Sequence, residues 1–107
     1  MSYQITDIHG VTRLMPDHSM MVRIVDEMYR HPNKVFRDVI LSHNSGYSIS
    51  LHPNGCAVLD YAGEDRYYTL TDLSREEQLM LWIQLAGNNI ASIKKLDWTS
   101  DDSPDEN

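Results

Sequence analysis

The stretch "GYSISLHPNGCAVLDY", residues 46–61, constrains this chain more than any other, because its pattern favours one strand register over its neighbour. Two runs of alternating apolar residues flank Pro53-Asn54-Gly55, which is a turn signal. If Asn54-Gly55 were a two-residue turn, Ile49 would face Asp60 and Tyr47 would face Ala62. If Pro53 and Asn54 form a type I turn with Gly55 as the left-handed bulge residue, the pairs become Leu51 with Ala57, Ile49 with Leu59 and Tyr47 with Tyr61. Proline suits the second position of that turn, and glycine suits positive φ. The second register gathers six apolar residues on one face and leaves Ser48, Ser50, Val58 and Asp60 on the other. It is preferred because it buries a coherent face.

Around this hairpin the periodicity changes twice. In "DHSMMVRIVDEMYRHP", Met20, Met21, Ile24, Val25, Met28 and Tyr29 recur at helical spacing, with Arg23, Asp26, Glu27 and Arg30 opposite. Asp17 is the expected N-cap, and Pro32 stops the helix, so residues 17–31 are expected to be helical. Strand character follows from Val35 to Leu70, with "VFRDVILSH" before the hairpin and "RYYTL" after it; "YQITDI" is a short candidate strand at the start. Ser74-Arg75-Glu76-Glu77 is a capping box, and the helix it opens, "REEQLMLWIQLA", ends at Gly87. That helix is apolar on most sides and is expected to sit in the core or against a partner. "NIASIKKLDW" is expected to return as a final strand or an irregular segment.

The expected fold class is therefore α+β: an antiparallel sheet of about four or five strands packed against two helices, 17–31 and 75–86. At 107 residues the chain suits one domain, 1–98, followed by an acidic, flexible tail at 99–107. No apolar run approaches the roughly 18 residues of a membrane span. "MSYQITDIHG" lacks the basic and apolar regions of a signal peptide. A single cysteine, Cys56, excludes an internal disulfide, so the expected compartment is the cytoplasm.

The net charge of −7 is unevenly spread. Residues 1–59 balance, whereas 60–77 hold Asp60, Glu64, Asp65, Asp72, Glu76 and Glu77 against Arg66 and Arg75. The tail adds four more acids. Nothing basic is concentrated enough to neutralise phosphates, so direct nucleic-acid binding is not expected. A basic protein is the better-matched partner.

Three sets of residues could carry chemistry. His52 and Cys56 flank one turn, but a nucleophile and base also need an oxyanion site and a group to orient the histidine, and the sequence offers neither. The five histidines are spaced 9, 13, 12 and 9 apart, with no pair at i,i+4, so no metal site is expected. The third set is acidic and aromatic: Asp60, Tyr61, Glu64, Asp65, Tyr67, Tyr68 and Asp72. Tyrosine is a rigid interface anchor, and carboxylates beside it select a basic partner. These seven are the expected partner-binding residues, with no catalytic residue and no cofactor.

The run "GYSISLHPNGCAVLDY" followed by "YYTLTDLSREEQLMLWIQLAGNNIASIKKLDW" resembles bacterial immunity proteins of polymorphic and contact-dependent growth inhibition toxin systems. The likeness covers residues 40–98 and consists of a glycine-led hairpin, a strand, a helix with a Leu-Trp pair and a closing tryptophan. It implies a small, acidic, cytoplasmic, non-enzymatic protein that binds a cognate toxin domain and blocks its active site or its access to substrate. It assigns no individual binding residue. Two other readings stay open: a structural or adaptor protein, including a homodimer joined through sheet edges or the second helix, and a small enzyme using His52, Cys56 or gathered histidines.

Overall fold

The computed structural model describes residues 2–31, 38–64 and 67–100. Its elements in chain order are β1 (Tyr3–Thr6), β2 (Thr12–Leu14), α1 (His18–Arg30), β3 (Val39–His43), β4 (Tyr47–Leu51), β5 (Ala57–Tyr61), β6 (Tyr67–Leu70), α2 (Arg75–Ala86), α3 (Ile90–Lys94) and β7 (Thr99–Ser100). All strands join one antiparallel sheet in the order β2-β1-β3-β4-β5-β6-β7. The fold class is α+β. No helix among the described residues is long and apolar enough to cross a membrane.

The hairpin forms in the bulged register: Leu51 pairs with Ala57, Ile49 with Leu59 and Tyr47 with Tyr61. The Gly55 amide closes the turn on the His52 carbonyl at 3.2 Å, and the His52 amide donates to Cys56 at 3.0 Å. Gly55 has φ +86°, and a Cβ there would lie 2.9 Å from the Leu73 carbonyl oxygen, so conformation and space both require glycine. The helix starts are also those the sequence encodes. Asp17 accepts the Met20 amide, and Ser74 and Glu77 make both bonds of the capping box.

The pleat decides what is buried. Ile5, Leu41, Val39, Ile49, Leu51, Ala57 and Leu59 share one face, and the helices cover it with Met21, Ile24, Val25 and Met28 of α1, Leu81, Trp82 and Leu85 of α2 and Ile93 of α3. Burying each large apolar side chain stabilises the fold by roughly 1.5–3 kcal/mol. Two polar side chains fix how α2 sits. The fully buried Gln78 donates through Nε2 to the carbonyls of His52 (2.8 Å) and Cys56 (2.9 Å), and its Oε1 accepts from the Tyr29 hydroxyl. One turn on, Trp82 donates to the Ile49 carbonyl at 3.0 Å.

Three expectations are corrected. Among the described residues the sheet has seven strands rather than four or five. Strand β2 is exposed at all three positions and β7 is two residues long, so neither carries an alternating apolar pattern. Among the described residues there are three helices rather than two, because "NIASIKKLDW" opens with α3 instead of a strand. Ile90 and Ile93 fall one turn apart and both pack on the core, and Trp98 stops the segment by donating to the Ile93 carbonyl at 2.7 Å. Thr99 and Ser100, read from sequence as the start of the tail, pair with Thr69 and Tyr68. The expected strand residues Val35–Arg37 and the tail 101–107 lie outside the described residues.

Two substitutions test this architecture. Gly55→Val should lower the unfolding free energy by about 2 kcal/mol, because a β-branched residue is strained at positive φ and meets Leu73. Gln78→Leu should cost about 1–3 kcal/mol, because the Tyr29 hydroxyl loses its acceptor and the His52 and Cys56 carbonyls keep only their backbone donors. Urea denaturation of each variant measures both.

Candidate functional site

The pleat divides the seven acidic and aromatic candidates between the two sheet faces. Asp60 and Tyr67 pair across β5 and β6 and point away from the helices. Tyr61 and Tyr68 lie on the helix side, since Tyr61 pairs with Tyr47 and Tyr68 with Leu59. Glu64 is exposed in the β5–β6 connection, and Asp72 is exposed at φ +60° before α2. Asp65 lies outside the described residues.

On the helix side, residues from four segments gather at one end of the sheet. Tyr47 and Tyr61 have ring centroids 4.5 Å apart at an interplanar angle of 36°. Glycine makes room for this pair: a Cβ on Gly46 would come within 3.0 Å of the Tyr61 ring, and one on Gly63 within 2.9 Å. Beside them a cleft of about 340 Å³ is lined by Tyr47, Tyr68, Trp98, Glu64 and Lys94 among others. The Tyr68 hydroxyl donates to Glu64 at 3.4 Å. The Lys94 ammonium lies 5.7 Å from the Tyr47 ring centroid. The neighbouring Tyr47 holds the Lys94 pKa above the usual lysine value, with the nearby Glu64 acting in the same direction. The arrangement offers flat aromatic walls, a carboxylate and an ammonium at the mouth. Such a surface has the size and composition to receive a side chain or a small polar group.

Sequence reading found Tyr61, Glu64 and Tyr68 but missed Tyr47, Lys94 and Trp98 as members of the same cluster. Tyr47 and Tyr61 were already paired by the hairpin register. The turn in the chain after α3 that delivers Trp98 had no sequence signal comparable to a cap or a turn glycine.

The backbone groups of His52 and Cys56 close the turn and receive Gln78. Cys56 is a free, half-buried thiol. Among the described residues no group of three or more His, Cys, Asp or Glu side chains could hold a metal ion. His9 and His31 both approach Glu27, at 3.8 and 3.3 Å. His43 is buried on β3, where its Nδ1 accepts the Ser45 amide at 3.1 Å and lies 2.8 Å from the Ser45 hydroxyl. An Nδ1 that accepts places the proton on Nε2, which is buried and makes no hydrogen bond among the described residues. Burial, aided by the positive N-terminus, lowers the His43 pKa below 6.5.

Comparison of the chain with known protein families, with curated proteins and with solved structures finds no match in any of the three.

The state of His43 sets a pH dependence. Its folded pKa lies below its unfolded value of 6.5, so the unfolded chain takes up the proton first. The stability contributed by neutral His43 is complete above pH 6.5 and is lost as pH falls through the folded pKa. NMR titration should show His43 titrating below 6.5, and His43→Asn should flatten the acid side of the stability profile.

Proposed function

We propose that this protein is an inhibitor of the immunity type, which binds a bacterial toxin domain with a basic surface and covers its active site or its path to substrate. The observation that carries the reading is the cluster of Tyr47, Tyr61, Tyr68 and Trp98 with Glu64 at the helix-side end of the sheet. Rigid aromatic side chains bind with little loss of rotamer freedom, and tyrosine and tryptophan dominate the energetics of many interfaces. The segregated acidity of residues 60–77 gives the sign of the partner. The resemblance of residues 40–98 to immunity proteins of toxin systems supplies the kind of partner. A toxin acting inside the cell, together with a lone cysteine, favours the cytoplasm as the place where the two meet.

The division of the candidates by the pleat sharpens the proposal. An interface of ordinary size is centred on a few buried anchors. Tyr61, Glu64 and Tyr68 share a surface with Trp98, whereas Asp60 and Tyr67 face away from it. The helix-side residues are therefore the ones assigned to the contact, and the outward pair serves as its control.

The test is co-expression and co-purification with a candidate toxic C-terminal domain, sought first in a gene immediately upstream, followed by affinity measurement at low and high salt. Tyr68→Ala should weaken binding by about tenfold or more. Glu64→Lys should slow association, and more at low salt. Asp60→Lys, Tyr67→Ala and deletion of residues 101–107 should each change affinity by less than about threefold. A tail deletion that costs more than Tyr68→Ala and Glu64→Lys combined would locate the interface elsewhere.

A further inference from the structure

The aromatic cleft does not end at Trp98. A second cleft of about 350 Å³ is lined by Leu70, Leu73, Met80 and Leu96, and Leu96 belongs to both. Together they form one groove, bounded by β6, by the outer side of α2 and by the segment after α3. Its apolar side chains are more open than a solvated surface requires: Met80 is 51% exposed and Leu96 43%. The exposure of Met80 is a consequence of the fold. Gln78 and Trp82 aim α2 at the hairpin through hydrogen bonds to its backbone, and residue 80 is thereby turned outward.

The rim carries a sign. Among the described residues that line the two clefts, Glu64, Glu77 and Asp97 are acidic and Lys94 alone is basic. Lys94 already shows what the aromatic wall accepts, since its ammonium rests against Tyr47. A second copy of the chain is a poor occupant, because it would bring another acidic rim and a net charge of −7 against the first.

We propose that the groove running from Tyr47 and Trp98 through Leu96 to Met80 docks a basic segment of a partner protein. That segment carries two apolar anchors, one for each cleft, with arginine or lysine beside them to meet Glu64, Glu77 and Asp97. The inference rests on the proposed function for the partner's being a toxin domain, and on the groove alone for the chemistry of its contact. Each cleft lies at the small end of the range for ligand pockets, a size suited to single large side chains at a protein interface.

The experiment titrates the isotope-labelled full chain with a short synthetic peptide carrying two tryptophans one helical turn apart, flanked by arginines. A control peptide has glutamates in place of the arginines. The arginine peptide should give saturable shifts at Leu70, Leu73, Met80, Leu96 and Trp98, and the glutamate peptide none. Met80→Glu and Leu96→Glu should each weaken binding by about tenfold or more. Glu77→Lys with Asp97→Lys should weaken it and flatten its salt dependence. Melting temperatures check each variant, and should Leu96→Glu unfold, Met80→Glu and the charge reversals carry the comparison. The absence of saturable shifts, equal binding of both peptides, or binding untouched by Met80→Glu overturns the proposal. A chain that binds the arginine peptide in this groove but gives no protection against the toxin keeps the groove and removes the toxin reading. Protection that survives Met80→Glu and Leu96→Glu together keeps the toxin reading and overturns the groove.

Discussion

The carboxamide of Gln78 is the joint on which the two layers of this protein meet. It is fully buried, and both its nitrogen and its oxygen are used: two carbonyls of the β4–β5 turn on one side and the Tyr29 hydroxyl of α1 on the other. A buried amide without partners costs about 1–3 kcal/mol, so any rotation of α2 that broke these bonds would be opposed. Trp82 adds a second fixed point on the same side of the helix, at the Ile49 carbonyl. Apolar contact alone would not do this. Hydrophobic burial is non-directional, and α2 is apolar nearly all round, so several rotations would bury similar area. The directed hydrogen bonds of Gln78 and Trp82 choose among them.

That choice propagates to the surface. With Gln78 and Trp82 turned toward the hairpin, Leu81 and Leu85 complete the core while Met80 is left half in water. The chain leaving α2 forms α3, and Trp98 closes on the Ile93 carbonyl so that the last strand reaches β6. Leu96 and Trp98 are thereby set beside Tyr68, and two clefts open around Leu96. The proposed binding surface is thus the outer edge of the helical layer where it overhangs the end of the sheet.

How much of this was legible depended on whether the information was local. The hairpin register, the glycine at positive φ, the Asp17 cap and the Ser74–Glu77 capping box are each decided within a few residues, and all appear as the sequence writes them. The strands β2 and β7 were not legible, because a strand of two or three exposed residues owes its existence to its neighbour's backbone and not to its own side chains. Helix α3 was missed because five residues spanning Ile90 and Ile93 read equally well as a short strand. Of the candidate site, Tyr61, Glu64 and Tyr68 were named from composition and charge. The separation of Asp60 and Tyr67 from them was implicit in the strand alternation. Lys94, Leu96, Trp98 and Met80 join the site through the rotation of α2, which a helix apolar on most sides does not encode in its periodicity.

Hydroxyl-radical footprinting tests the account most directly, because it reads individual methionine, tyrosine and tryptophan side chains and so distinguishes the two faces of the sheet. The full chain would be oxidised alone and in complex with the toxin domain that co-purifies with it. The account predicts that Tyr68, Met80 and Trp98 become protected in the complex while Tyr67 and Met15 keep their reactivity. Protection of Tyr67 with Met80 and Trp98 unchanged would contradict it, and would place the partner on the sheet face that points away from the helices.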